Sequence, residues 1–468
     1  MEKAKSDSII KGDGITPAER YLGKLCKKNF LSLWSYSGIY CDRKNKNEVC
    51  DLLVVFGNHI LVFSDKFCKF PCSGNLKLDW SRWFKRAIRK SANQAWGAER
   101  WIKNYPLRLF LDQKCTVPFP MNLPDMTTAK FHLIIVVHGV SESIKKWFGN
   151  GSGSLIIDSG VKGLDNHKEP FCIGDLDPQR SFVHVLDDDF LVTLMNTRDT
   201  ISDFITYLEK KENLIRGSKK IFATGEEELL AVYLKNLNQN KEHDFIFPEG
   251  DQKINWIALT EGHWEEFQKN PQRLAQIQAD KISYMWDELI EIFNKYALEG
   301  KQYYVSSGGF KDSEKILRFM AREPRYKRRY LAQCLKEILK TTPSNQRRLR
   351  VIPSVMSGDP YYVFLLFPIP NTPSVSPDDY RLVRQRFLEA SCMVVKLKYA
   401  DAQDIIGIAT ESGLEKIERS EDACYLDTSK WSEKMEKEAK NLQEKLGILK
   451  NPEYKDFHVE EYPDVETG

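Results

Sequence analysis

The sequence predicts an α/β protein of several domains. Three features carry that expectation: two Val/Leu/Ile-rich runs joined by Gly57-Asn58, a long amphipathic helix pattern after them, and further strand-like runs beyond it. At 468 residues and 54.3 kDa the chain exceeds one ordinary domain, and a prior of about 150 residues per domain gives about three.

In chain order, ITPAERYLGKLCKKNFLSLW reads as a helix, with Thr16 as N-cap and Pro17 at its first position. Glu48–Phe56 and His59–Phe67 read as two strands, and a two-residue Gly-X loop between them is a hairpin signal. DWSRWFKRAIRKSANQAWGAERWIKNYP reads as a helix, because Trp83, Ala87, Ile88, Ala95, Trp96 and Ile102 recur at helical spacing. Lys130–Val137, Ser154–Ile157 and Phe182–Leu186 add strands.

This pattern divides the chain into a flexible polar start at 1–14, an α/β domain at 15–215 and a helical basic domain at 216–342. A small α/β module follows at 343–431, with a Pro/Ser-rich loop at Asn371–Pro377, then a charged helix and acidic tail at 432–468. Hydrophobic residues make up 42%, which excludes a wholly disordered chain. No apolar run approaches the roughly 18 residues of a membrane span, and the start lacks a secretory apolar stretch. The expectation is a soluble cytoplasmic protein with no membrane partner. Its ten cysteines are too dispersed for a disulfide framework and read as reduced thiols.

The net charge of +3 conceals local asymmetry. Residues 315–350 carry twelve Lys/Arg against two acids, whereas 411–468 carry sixteen acids against nine bases. Arg322, Arg325, Arg328 and Arg329, interleaved with Phe319, Tyr326 and Tyr330, suit a polyanion such as DNA. A solvated helix face with its aromatics turned to the core explains the same pattern.

The hairpin carries the chemistry. Pairing Phe56 with His59 sets Asp51 opposite Ser64, and Lys66 lies two residues on, on the same face, its Cα roughly 7–8 Å from that of Asp51. Asp65 points to the other face. Glu19 falls on the otherwise apolar stripe Leu22, Cys26, Phe30, Leu33, while Arg86, Lys90 and Gln94 form a polar stripe on the later helix. Carboxylates hold a divalent cation, and a lysine orients water, in phosphodiester hydrolysis. Each residue also has a plainer reading: Thr16-x-x-Glu19 is a capping box, Lys66 can snorkel from a strand end, and Arg86, Lys90 and Gln94 can be a solvated face.

In residues 16–103 this order resembles the restriction-endonuclease-like, or PD-(D/E)xK, nucleases: a helix with Glu19, a first strand with Asp51 in EVCDLLVVF, a second with Lys66 in HILVFSDKF, then KSANQAWGAERW. The resemblance implies an α/β/α catalytic domain in which Asp51 and Glu19 hold Mg²⁺ or Mn²⁺ and Lys66 positions the attacking water. The family's second acid falls at position 64, where this chain has Ser64, whose hydroxyl would hold a metal-bound water; some branches tolerate a non-acid there. What the resemblance implies is a DNA endonuclease or nuclease effector subunit, of the kind bacteria use in restriction and anti-phage defence, with a protein partner in a complex. The rival expectation is a degenerate nuclease fold acting as a nucleic-acid-binding or scaffold subunit. A third is an interaction protein whose basic patches meet acidic partners.

Weaker motifs include Cys68-x3-Cys72, with metal-like spacing but no second Cys/His pair, and Asp187-Asp188-Asp189, which suits either a cation or a helix cap. Gly149–Ser154 lacks the lysine of a phosphate-binding loop. The eight histidines show no metal spacing, and His132, His138 and His184 read as core or cleft groups.

Overall fold

The structure is a computed structural model and describes residues 12, 16–43, 47–149, 152–247, 256–298, 310–354, 358–370, 375–413, 419–456 and 460–463. The expected flexible start, most of the 371–377 loop and much of the acidic tail lie outside these. The chain is mixed α/β, as expected, and separates into two compact units, one within Ile9–Gln278 and the other within Ala279–Glu461. The helical sequence expected as one region at 216–342 is shared between them.

The first unit begins with α1 (Pro17–Trp34), β1 (Ser35–Tyr40), β2 (Glu48–Phe56), β3 (His59–Phe67), α2 (Leu76–Phe84), α3 (Lys90–Asn104) and β4 (Lys130–His138). It continues with α4 (Ser141–Phe148), β5 (Ile156–Lys162), β6 (Cys172–Asp175), β7 (Val183–Asp187), α5 (Asp188–Thr197), α6 (Ile201–Arg216), β8 (Lys220–Ala223), α7 (Glu226–Lys235) and β9 (Trp256–Leu259). Helix α8 (His263–Lys269) follows, and α9 (Pro271–Asp280) runs across the division, so that Asp280 belongs to the second unit. In the second unit lie α10 (Tyr284–Leu298), α11 (Phe310–Arg322), α12 (Arg325–Thr341), β10 (Arg348–Ile352), β11 (Tyr361–Phe367), α13 (Pro377–Lys398), β12 (Asp404–Glu411), β13 (Asp422–Asp427) and α14 (Glu433–Leu446).

Helix α1 starts where the sequence places it, with Pro17 at the first turn and a capping box between Thr16 and Glu19. The hairpin has the expected register, from Phe56↔His59 to Leu52↔Phe63, and Gly57 supplies the positive φ (+61°) that its turn needs. Strand β1 has no counterpart in the sequence pattern. It follows α1 directly, so no turn signal marks its start, and it pairs antiparallel with β2.

The main sheet has the order β1-β2-β3-β4-β7. The first three strands form an antiparallel meander; β4 and β7 add in parallel, with α2 and α3 making the crossover that a parallel pair requires. On one face Phe30 of α1 and Phe204 of α6 meet Phe63, with ring centroids 6.3 and 6.4 Å from it. On the other, Lys103 of α3 lies 4.8 Å from the ring of Phe131, the neighbour of Ile60 in the β3–β4 ladder. Helices therefore cover both faces. That is why β3 and β4 read as near-continuous apolar runs, HILVF and LIIVV, instead of alternating. By alternation His59, Leu61, Phe63 and Asp65 face α1 and α6, whereas Ile60, Val62, Ser64 and Lys66 face α3. A second sheet, β6-β5-β8-β9, packs Ile157, Ile221 and Ala223 against Ile215 and Leu229.

The second unit carries the sheet β10-β11-β12-β13, with α13 crossing between the parallel strands β11 and β12. Val363 and Leu365 pack with Leu388 and Val395 of α13, while Trp286 of α10 meets Tyr362 and Phe364 on the opposite face. At Gly407 a side chain would bring its Cβ to within 2.7 Å of Cys424 Sγ and 2.8 Å of Cys392 Sγ, so helix and strand approach as closely as glycine allows. Among the described residues no helix is long and apolar enough to cross a membrane.

Candidate functional site

The β2–β3 ladder ends at Leu52↔Phe63. Beyond it the strands part, and the Asp65 backbone N–H donates to Asp51 Oδ2 at 2.5 Å. Asp51 shares its face with Leu53 and so with Val62 and Lys66, as the hairpin register implies. Burial, Glu19 and Asp65 push the Asp51 carboxyl up to about 6 against the opposing pull of the Asp65 N–H and of Lys66. Glu48, at the exposed start of β2, is pushed up to about 7, first by partial desolvation from the groups around it and then by Asp51 and Glu19. The Tyr40 phenol is raised by burial and by the charges of Glu48, Glu19 and Asp51. Glu19, Glu48 and Asp51 therefore repel one another electrostatically near the open end of the hairpin while Lys66 draws Asp51 down, although α1, which carries Glu19, packs on the face opposite to that of Asp51 and Lys66.

Glu19 plays the capping part as well. Its Oε1 accepts from Thr16 Oγ1 at 3.0 Å and its Oε2 from Thr16 N at 3.3 Å. Ser64 is buried at 7% exposure, beside Ile135 in the parallel ladder. Burial and mutual repulsion favour the protonated forms of Asp51 and Glu48. The donors are hard oxygens but do not close around one point.

Asp65 points to the other face, as the alternation implies, and forms a chain with residues distant in sequence. His138 Nε2 donates to Asp65 Oδ1, while His138 Nδ1 lies 3.2 Å from Asp188 Oδ2. Ser141 Oγ donates to Asp188 Oδ1 at 3.5 Å. Burial opposes charge on His138, but its bonds to Asp188 and Asp65 outweigh it and push the imidazole up to about 9. These residues meet because β3, β4 and β7 end side by side, a neighbourhood set by long-range pairing. His138 is thus a partly buried imidazole held between two carboxylates.

Asp187 is a helix cap: its Oδ1 accepts the Phe190 N–H at 2.8 Å and opens α5. Cys68 and Cys72 join no metal-ligating group among the described residues.

Arg86, Lys90 and Gln94 are exposed along the α2–α3 segment, which carries a π-helical turn at Lys85–Arg89. The downstream basic patch is different. Arg322 is exposed, its guanidinium donating to Gly358 O at 2.7 Å. Arg325, Arg328 and Arg329 are 8%, 1% and 1% exposed, which corrects their assignment to a DNA-gripping surface. Arg325 and Arg328 bind Asp287 at 2.7 and 2.6 Å, and Arg329 lies 3.2 Å from Asp280. Sequence counts the charges but cannot see the acids of α9 and α10 that bury them.

One group of three metal-ligating side chains converges among the described residues, and it lies elsewhere: His59, His132 and Glu209, at the starts of β3 and β4 beneath α6. Its histidines are distant in sequence and so escaped any spacing rule. The chain matches no protein-family model, no curated protein and no solved structure.

Proposed function

We propose that the chain is a divalent-metal-dependent nuclease, with Glu19, Asp51 and Lys66 as its centre and DNA as substrate. The observation that carries this reading is the placement of Asp51 and Lys66 on one face at the open end of the β2–β3 hairpin, with the Asp51 carboxylate held by the Asp65 N–H. The helix, antiparallel meander, crossover helix and parallel strand around it agree with the nuclease resemblance. Mg²⁺ or Mn²⁺ bound there would supply an activated water and charge neutralisation at the phosphate.

Asp51 and Glu19 offer oxygens to the cation, with Glu48 beside them. The Asp65 N–H fixes the Asp51 carboxylate, and His138 in turn restrains the Asp65 side chain. Lys66 orients the water and balances the acids. Arg86, Lys90 and Gln94 offer an exposed polar face to the phosphate backbone. A cytoplasmic role in restriction-type or anti-phage defence, with a protein partner, rests on the family resemblance.

Ser64 favours a second reading, a degenerate nuclease fold that binds DNA within a complex. Plasmid and oligonucleotide cleavage with Mg²⁺ or Mn²⁺ separates the two. The nuclease reading expects cleavage by wild type and its loss in Asp51→Ala and Lys66→Ala; cleavage unaffected by both substitutions rejects the site. DNA binding without cleavage in wild type, with metal-dependent cleavage gained by Ser64→Glu, would establish the degenerate one.

A further inference from the structure

We infer that His59, His132 and Glu209 form a second cation site, selective for a borderline divalent metal such as Zn²⁺, that ties α6 to the starts of β3 and β4. His59 opens β3, and His132 is two residues into β4. The β3–β4 register pairs His132 with Leu61, so both imidazoles emerge on the face covered by α6, which carries Glu209.

The donor atoms are already close. His59 Nδ1 lies 2.9 Å from His132 Nε2 and 3.9 Å from Glu209 Oε1, and all three lie within 4.8 Å of one another. Tetrahedral zinc, with bonds of about 2.0–2.1 Å, needs donors about 3.3 Å apart, so small side-chain rotations suffice. Two nitrogens and one carboxylate oxygen are a zinc-type set, unlike the all-oxygen cluster at Asp51.

His132 is 3% exposed, and its Nδ1 has no hydrogen-bond partner among the described residues. A proton held at Nδ1 leaves the Nε2 lone pair directed at His59, the orientation a ligand requires. In that tautomer the 2.9 Å contact carries its proton on His59 Nδ1, and metal binding moves that proton to His59 Nε2 or releases it to water. Lys130 Nζ now lies 2.8 Å from Glu209 Oε1; its side chain is 53% exposed, so the ammonium can withdraw to water when a metal arrives. Three protein ligands leave one position for water.

This site is independent of the proposed nuclease centre. Six residues of strand separate His59 from Asp65, about 20 Å at the usual rise. The test uses tag-free, chelator-stripped full-length protein titrated with Zn²⁺ by calorimetry, and with Co²⁺ by visible absorption. The expected result is one tight equivalent that excess Mg²⁺ does not displace and that Asp51→Asn retains. His132→Ala and the part-exposed Glu209→Gln should each weaken it at least tenfold, since even outer-shell changes cost roughly 10–100-fold. Zn²⁺ should raise the melting temperature of wild type but not of Glu209→Gln, a readout that survives if His132→Ala fails to fold. Unchanged zinc affinity in Glu209→Gln, loss of the equivalent in Asp51→Asn, or no zinc uptake by wild type would each overturn the proposal.

Discussion

The backbone N–H of Asp65 donates to the carboxylate of Asp51 across the opening end of the hairpin, at 2.5 Å. The strand that supplies Lys66 thereby also aims Asp51, and the Asp65 side chain, turned to the opposite face, engages His138. Both faces of the sheet are coupled at one peptide.

Replacing Asp51 by asparagine should stabilise the metal-free protein at pH 8. The carboxyl titrates near 6 in the fold against an ordinary 3.8, so its contribution is fully present below about pH 4 and is lost as pH rises through 6. Asparagine keeps an oxygen for the Asp65 N–H and removes the charge. A shift of about two units corresponds to about 2–3 kcal/mol. Urea unfolding should show a larger gain for Asp51→Asn at pH 8 than at pH 5, and added Mg²⁺ should stabilise wild type alone. Equal Mg²⁺ stabilisation of both proteins would place the cation elsewhere.

His138 contributes in a higher window. Its imidazole is raised to about 9 from an ordinary 6.5, so the stability it adds is fully present below pH 6.5 and is lost as pH rises through 9. Asp188→Asn removes one of its two charged partners and should lower the His138 pKa by roughly one unit or more. An imidazole NMR titration reads this directly, and an unchanged midpoint would show that Asp188 does not hold the proton.

Charge reversal at Arg86 and Lys90 should weaken DNA binding alike across sequences. Each lost phosphate contact should flatten the log–log salt slope by about 0.9 on duplex DNA. Both residues are exposed, so thermal stability should change by less than about 0.5 kcal/mol. Fluorescence anisotropy at several salt concentrations makes the comparison, and an unaltered slope would remove this face from the interface.

Asp287 should be a stability position. It binds the buried guanidinium groups of Arg325 and Arg328, and deleting it takes a shared carboxylate from two buried charges in the second unit. Asp287→Ala should therefore cost about 3–5 kcal/mol in denaturant unfolding. A loss below 1 kcal/mol would mean that water reaches these arginines.

Local chemistry was legible in the sequence. Thr16, Pro17 and Glu19 mark the start of α1, Gly57-Asn58 sets the hairpin, and strict alternation then places Asp51 and Lys66 on one face and Asp65 on the other. Each of these depends on neighbours within a few residues or across one tight turn, where backbone geometry leaves few options. Only the tertiary structure decided the rest. His138 meets Asp65, and His59 meets His132 and Glu209, because β3, β4 and α6 are brought together by burying apolar surface, a force that fixes no sequence spacing. The same burial took Arg325, Arg328 and Arg329 out of water and paired them with Asp287 and Asp280. A run of cations gives the same local signal whether its counter-charges are phosphates outside or carboxylates within, and only packing chooses between them.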